Sequence, residues 1–148
     1  MLSPFWGEFF GTLVLITLGT GVVAGALLEK SKAQNSGWIV ITTGWAFAVT
    51  LGIFTAKTFG SADAHLNPAV TLAFAIQSGN WQNVLPYFAA QFLGAFCGAT
   101  VTWLHYLPHW RETQNSDLKL AVFSTSPAIR QTFANGVSEV LGTLMLVI

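Results

Sequence analysis

The sequence predicts an all-α membrane protein: a bundle of long apolar helices around one re-entrant helix too short to cross the bilayer. Three observations carry that expectation. Hydrophobic residues make up 53% of the 148 positions and charged residues only 8%, with a mean hydropathy of +0.58, a balance foreign to soluble domains. The few charges lie mostly between long apolar runs and so mark where each run stops. The run His65-Leu66-Asn67-Pro68-Ala69-Val70-Thr71-Leu72-Ala73-Phe74-Ala75-Ile76-Gln77 opens on Asn-Pro and stops before Ser78-Gly79-Asn80. It supplies about half of the roughly 20 helical residues that a hydrocarbon core of about 30 Å requires.

The elements follow in order. A first span covers residues 4–28, and the polar loop Glu29-Lys30-Ser31-Lys32-Ala33-Gln34-Asn35-Ser36 ends it. These first residues lack a basic leading segment and carry Glu8, so they read as a retained helix and not as a signal peptide. A second span covers 37–56, and Lys57 opens a polar connection to the half-helix at 67–77. A third span covers 84–107. The stretch 108–131, with Arg111, Glu112, Asp117, Lys119 and Arg130, reads as a polar loop. A fourth span begins at Thr132 and is incomplete at Ile148, since the last eight residues carry no stop signal or flanking charge. The whole is one membrane domain, expected to be truncated. Trp6, Trp38, Trp81, Trp103 and Trp110 fall near span ends, where interface aromatics sit. Gly7/Gly11, Gly21/Gly25 and Gly94/Gly98 are spaced to let helices approach closely, although glycine is common in membrane helices in any case.

Several classes are excluded. The formal charge of zero and the lack of a basic run leave no footprint for nucleic acid. Cys97 is the only cysteine, so no disulfide, metal or cofactor framework is encoded. Catalysis by Glu8, Glu139 and His65 would be unaccompanied by a nucleophile elbow, metal-spaced histidines or a phosphate loop, and the chain is not read as an enzyme.

The half-helix has its own physics. Its polar end must stop inside the membrane, where backbone ends are tolerated only against a cavity or buried in protein. Asn67 is a strong N-cap and Pro68 is preorganised for the first turn. The Asn67 side-chain oxygen can cap the helix, leaving its NH₂ group as a donor aimed into a lumen. The helix N-terminus adds a local positive potential of up to about half a charge, which disfavours cations and hopping protons but not neutral polar solutes. Ala64 and His65 must cross apolar depth without helical bonding, so their carbonyls are expected to line the inner half of a pore. His65 could instead titrate and gate that pore.

An internal repeat is the second signal. Glu8-Phe9-Phe10-Gly11-Thr12-Leu13-Val14-Leu15 recurs as Glu139-Val140-Leu141-Gly142-Thr143-Leu144-Met145-Leu146, the pattern of a transporter or channel built from two related halves. The two glutamates are charges inside apolar runs, each costing about 2.5–3.5 kcal/mol on insertion scales, so both are singled out as buried acids.

Taken together, the string His65-Leu66-Asn67-Pro68-Ala69-Val70-Thr71, the early Glu8, its partner Glu139 and the half-helix after the second span resemble the major intrinsic protein family of aquaporins and glycerol facilitators, over essentially the whole chain. The resemblance is greatest to the bacterial glycerol uptake facilitators. It implies an aquaporin-like bundle with inverted halves, in which Asn67, Pro68 and Ala69 form one of two pore motifs. It implies a passive channel for glycerol, water and similar small neutral solutes that excludes ions and protons, sits in the cell membrane with a cytoplasmic N-terminus, and assembles as a homotetramer when full length. Glu8 and Glu139 would then accept hydrogen bonds from loop backbone and brace the filter from behind. Trp45 resembles the tryptophan that glycerol facilitators place at the selectivity filter, though a packing or lipid-facing role for it stays open. A strict water channel, a fragment that conducts nothing and an ion-coupled carrier remain as alternatives. Two features depart from the family. Asp63 stands where a glycine is common. Lys57 is the only basic residue of the inner connection, against Lys30, Lys32, Arg111, Lys119 and Arg130 outside, a count that opposes the family's orientation.

Overall fold

The computed structural model describes residues 3–148, and every regular element among them is helical: α1 (Pro4–Leu27), α2 (Trp38–Thr58), α3 (Pro68–Ser78), α4 (Val84–His105), α5 (Leu107–Glu112), α6 (Ser116–Ala121) and α7 (Thr132–Val147). Helices α1, α2 and α4 are each long and apolar enough to cross a membrane, while α3 and α7 are shorter apolar helices.

Helix α1 is the spine. It packs against both α2 and α4, and α3 is held mainly against α4. The first pairing is antiparallel, since Gly7 lies beside Ala56, Gly11 beside Gly52 and Gly19 beside Trp45. The second is parallel, with Leu13 beside Gly98 and Thr20 beside Thr102. Both seams are built from small residues. A Cβ at Gly11 would stand 2.9 Å from the Gly52 carbonyl oxygen, and one at Gly98 only 2.6 Å from that of Leu13. Lipid is as apolar as leucine, so association in the bilayer comes from close backbone approach and interhelical hydrogen bonds. The α1–α4 seam supplies both. The Thr20 and Thr102 hydroxyls meet at 2.7 Å, and the Thr17 hydroxyl donates to the Gly98 carbonyl at 3.3 Å. The large apolar side chains turn outward instead: Trp38 is 76% exposed and Phe96 74%. Of the three glycine pairs, two mark contacts. Gly21 of the third faces open space, and Gly25 meets only the Tyr106 hydroxyl closely.

The stretch expected as a polar loop carries two short helices. Helix α4 ends at His105, and Leu107-Pro108 starts α5 because proline fits a first helical turn but cannot continue the preceding helix. Helix α6 is capped by Asn115, whose side-chain oxygen accepts from the Asp117 N–H at 2.8 Å. This stretch is clamped to the α1–α2 loop. Buried Thr113 accepts from the Glu29 N–H at 2.9 Å through its hydroxyl oxygen, the His109 ring donates from Nδ1 to the Glu29 carbonyl at 2.9 Å, and Lys30 pairs with Glu112. Hydrogen bonding and charge from Glu112 raise the Lys30 pKa above 10.5, and Lys30 in the same order holds Glu112 below 4.5. Glu112's share of the clamp is therefore complete above pH 4.5 and fades as pH falls through its lowered value. Lys30's share is complete below pH 10.5 and fades as pH rises through its raised one.

Two outcomes follow from this packing. Gly98→Ala is expected to destabilise the detergent-solubilised protein by about 1–3 kcal/mol through overpacking, whereas Gly21→Ala stabilises it by up to about 1 kcal/mol, as read by thermal unfolding. In a carbon-13 NMR titration the Glu112 carboxyl should titrate below 4.5, and Lys30→Met should return it toward that value.

Candidate functional site: a buried carboxylate and the cap of a half-length helix

Helix α3 starts at Pro68. Asn67, with φ −152° and ψ 128°, is its N-cap, Pro68 opens the first turn, and the Asn67 Oδ1 accepts from the Ala69 N–H at 2.8 Å. The cap uses the amide oxygen, which leaves the NH₂ group as a donor. Gly79, at φ 71°, closes the helix in the left-handed region that glycine adopts without strain.

The loop before α3 is organised by one side chain from α1. Glu8 is 0% exposed and accepts four hydrogen bonds: the Ser61 hydroxyl (2.7 Å) and His65 N–H (2.9 Å) on Oε1, the Leu66 N–H (2.7 Å) and Gln91 Nε2 (2.9 Å) on Oε2. The Ser61 hydroxyl oxygen also accepts from the Ala64 N–H at 3.1 Å. Ala64 (φ 48°) and Leu66 (φ 54°) occupy the left-handed region, unusual for residues with a side chain. Such strain persists only where the surroundings overdetermine it, and the Glu8 carboxylate does so here.

This bonding fixes the direction of the carbonyls. No cis peptide occurs among the described residues, and in a trans peptide the N–H of one residue points opposite to the C=O of the residue before it. The N–H groups of Ala64, His65 and Leu66 point toward Ser61 and Glu8. The carbonyls of Asp63, Ala64 and His65 therefore point away from that buried side. Ala64, His65, Leu66 and Asn67 line a groove of about 530 Å³ together with Trp45.

The predicted site residues thus divide. Asn67, Pro68, Ala64, His65 and Trp45 border the same groove. Ala69 contributes its N–H to the cap. The half-buried Trp45 ring also packs over Gly19, so it combines a packing role with a place on the groove. Glu139, expected as a buried acid equivalent to Glu8, is instead exposed. Among the described residues its helix, α7, has no buried residue and packs chiefly against α3.

Gln91 and Thr71 were missed in the sequence. Gln91 Nε2 donates both to Glu8 and, at 3.0 Å, to the Thr71 hydroxyl, which also meets His65 Nδ1 at 3.2 Å. A signal existed: Gln91 is a lone amide inside an apolar span, and such residues in membrane helices have partners.

Comparison with known proteins gives the family. The family profile described as Major intrinsic protein matches residues 1–148, and the chain belongs to that family. It is a multi-pass membrane protein. It is similar to glycerol uptake facilitator protein 3 of Lactiplantibacillus plantarum, with 54% identity over 95% of this chain and 58% of the relative. It is also similar to the glycerol uptake facilitator protein of Streptococcus pneumoniae strain R6 (50%, over 100% of this chain and 63% of the relative) and to a probable glycerol uptake facilitator protein of Thermotoga maritima (50%, over 98% and 62%). The chain thus spans about three-fifths of the length of these curated relatives. No solved structure gives a significant match.

Removing the carboxylate tests the brace. Glu8→Ala leaves several buried donors unpaired and should cost more than about 3 kcal/mol. Glu8→Gln retains the shape but turns an NH₂ toward two donors, and should lie between wild type and Glu8→Ala in thermal unfolding and in amide exchange at His65 and Leu66.

Proposed function

We propose that this chain supplies the Asn67 half of a passive channel for glycerol, water and similar small uncharged solutes, one that rejects ions and protons and does no enzymatic chemistry. The observation that carries the reading is the Glu8-braced loop. Its N–H groups are satisfied on one side, so the carbonyls of residues 63–65 turn away from Glu8, and Ala64 and His65 border the groove that Asn67 also lines. A row of acceptors followed by a donor suits a solute whose hydroxyls both donate and accept. The N-terminus of α3 lends positive potential at the same point, which repels cations without penalising neutral molecules.

Trp45 favours a polyol over a strictly water-selective filter. Its ring offers a broad apolar wall along which a carbon skeleton can slide while the hydroxyls bond elsewhere. The names of the curated relatives, glycerol uptake facilitators, support the same solute. In this reading Glu8 is a structural acid and not a proton relay, since all its bonds go to groups that hold the loop. The protein sits in the cell membrane with the N-terminus cytoplasmic and acts as a homotetramer in lipid, both by analogy with the family.

Stopped-flow light scattering on vesicles tests the proposal, using this chain alone and extended with the remaining portion of the Streptococcus pneumoniae relative. Glycerol flux should be non-saturating and independent of an ion gradient. Asn67→Asp should cut it by about tenfold or more, the loss expected when a donor to the solute becomes an acceptor. Trp45→Ala should weaken the preference for glycerol over water. Uptake that requires a proton or sodium gradient would overturn the channel reading.

A further inference from the structure

A second cavity lies across His65 from the groove. Its volume is about 410 Å³, within the roughly 300–1,000 Å³ range of small-molecule sites, and it is bordered by Asp63, His65, Phe74, Asn80, Asn83 and Tyr87. His65 lines both spaces. The chemistry of the walls differs from that of the apolar groove. Asp63 is exposed, takes part in no ion pair among the described residues, and receives only a long 3.4 Å bond from the Tyr87 hydroxyl. Most of its acceptor capacity is therefore uncommitted. The Asn80 Oδ1 accepts from the Gln82 N–H at 3.1 Å, which leaves the Asn80 NH₂ group as a donor. Asn83 is the N-cap residue of α4 yet makes no side-chain cap bond, so its amide is also uncommitted. Three aromatic rings also border the cavity. The His65 and Phe74 rings stack at 4.9 Å and 9°, and Tyr87 meets His65 edge-on at 5.3 Å.

We propose that this cavity is an antechamber that binds a linear polyol of about three to six carbons before it reaches the Asn67 path, a site centred on Asp63. A carboxylate acceptor, amide donors and the exposed face of the Phe74 ring match alternating hydroxyls on a carbon chain. An anion is repelled by Asp63. A metal ion lacks ligands, because no group of three acidic, histidine or cysteine residues suited to a metal occurs among the described residues. An organic cation could use Asp63 and the rings but would leave the two amide donors facing positive charge. The antechamber rests on the polyol-channel reading, and its test is made independent of flux.

Saturation-transfer NMR on the detergent-solubilised chain reads binding directly, with a six-carbon sugar alcohol as probe and tetramethylammonium as competitor. Wild type should transfer saturation to the sugar-alcohol C–H protons. Asp63→Ala should weaken binding about tenfold or more and Asn83→Leu by less, while Asp117→Ala, at an exposed acid in α6, leaves it unchanged. Asp63→Asn keeps the side-chain shape and should fall between wild type and Asp63→Ala, which separates loss of the acceptor from loss of fold. Absent transfer in wild type, unchanged binding in Asp63→Ala and Asn83→Leu, or displacement by equimolar tetramethylammonium each overturns the antechamber. A chain that binds the sugar alcohol through Asp63 but whose extended form passes no glycerol would refute the channel and leave the site standing.

Discussion

A carboxylate buried among helices and saturated with hydrogen bonds is the constraint on which the rest of this structure depends. Glu8 has no exposed surface, and its oxygens collect donors from three places: the Ser61 hydroxyl, the backbone N–H groups of His65 and Leu66, and the Gln91 amide of α4. An unpaired charge at that depth would be expensive, and removing the donors or the acceptor leaves the other side unsatisfied. The cost of burying Glu8 is thereby coupled to the conformation of residues 61–66. Two left-handed residues are tolerated because the alternative is a stranded carboxylate. The carbonyl directions and the position of Asn67 follow from the same bonds.

The helices deliver this carboxylate by being thin where they meet. Glycine on α1, α2 and α4 brings backbones close enough that even a methyl group would strike a carbonyl, and threonine hydroxyls bond across the α1–α4 seam. Glu8 and Gln91 consequently sit on facing helices at hydrogen-bonding distance, 2.9 Å. Large apolar side chains would have held the helices apart. They point outward instead, which is the arrangement a hydrocarbon solvent rewards. Two cavities border His65: one carries Asp63, Asn80 and Asn83, and the other is largely apolar apart from the loop, Thr12, Gln91 and the Asn67 amide.

Much of this was legible in the residues. Asn67-Pro68 states its own role, since one residue caps and the next can only begin a helix, and apolar length alone separates α3 from the spans. Glu8 stands out because charge inside an apolar run needs a reason. The same rule applied to Gln91 would have found it, yet an amide is less conspicuous than a charge. Glu139 shows the limit of reading by repeat. It shares the Glu-x-x-Gly-Thr-Leu-x-Leu pattern with Glu8, but burial is conferred by neighbours, and among the described residues α7 has chiefly α3 beside it. The polar connection also hid two helices, because six-residue helices hold too few turns to display a periodicity.

What the sequence by itself determined is the membrane class, the short helix, its cap and the identity of the acid in the first span, because each depends on composition, length or residues next to one another. Only the tertiary structure decided which donors the acid receives, which way the loop carbonyls turn, and that Trp45 and Asn67 share a groove while Glu139 stands outside it. Those properties belong to residues tens of positions apart, and the distance between such residues is set by helix packing, to which no local pattern has access.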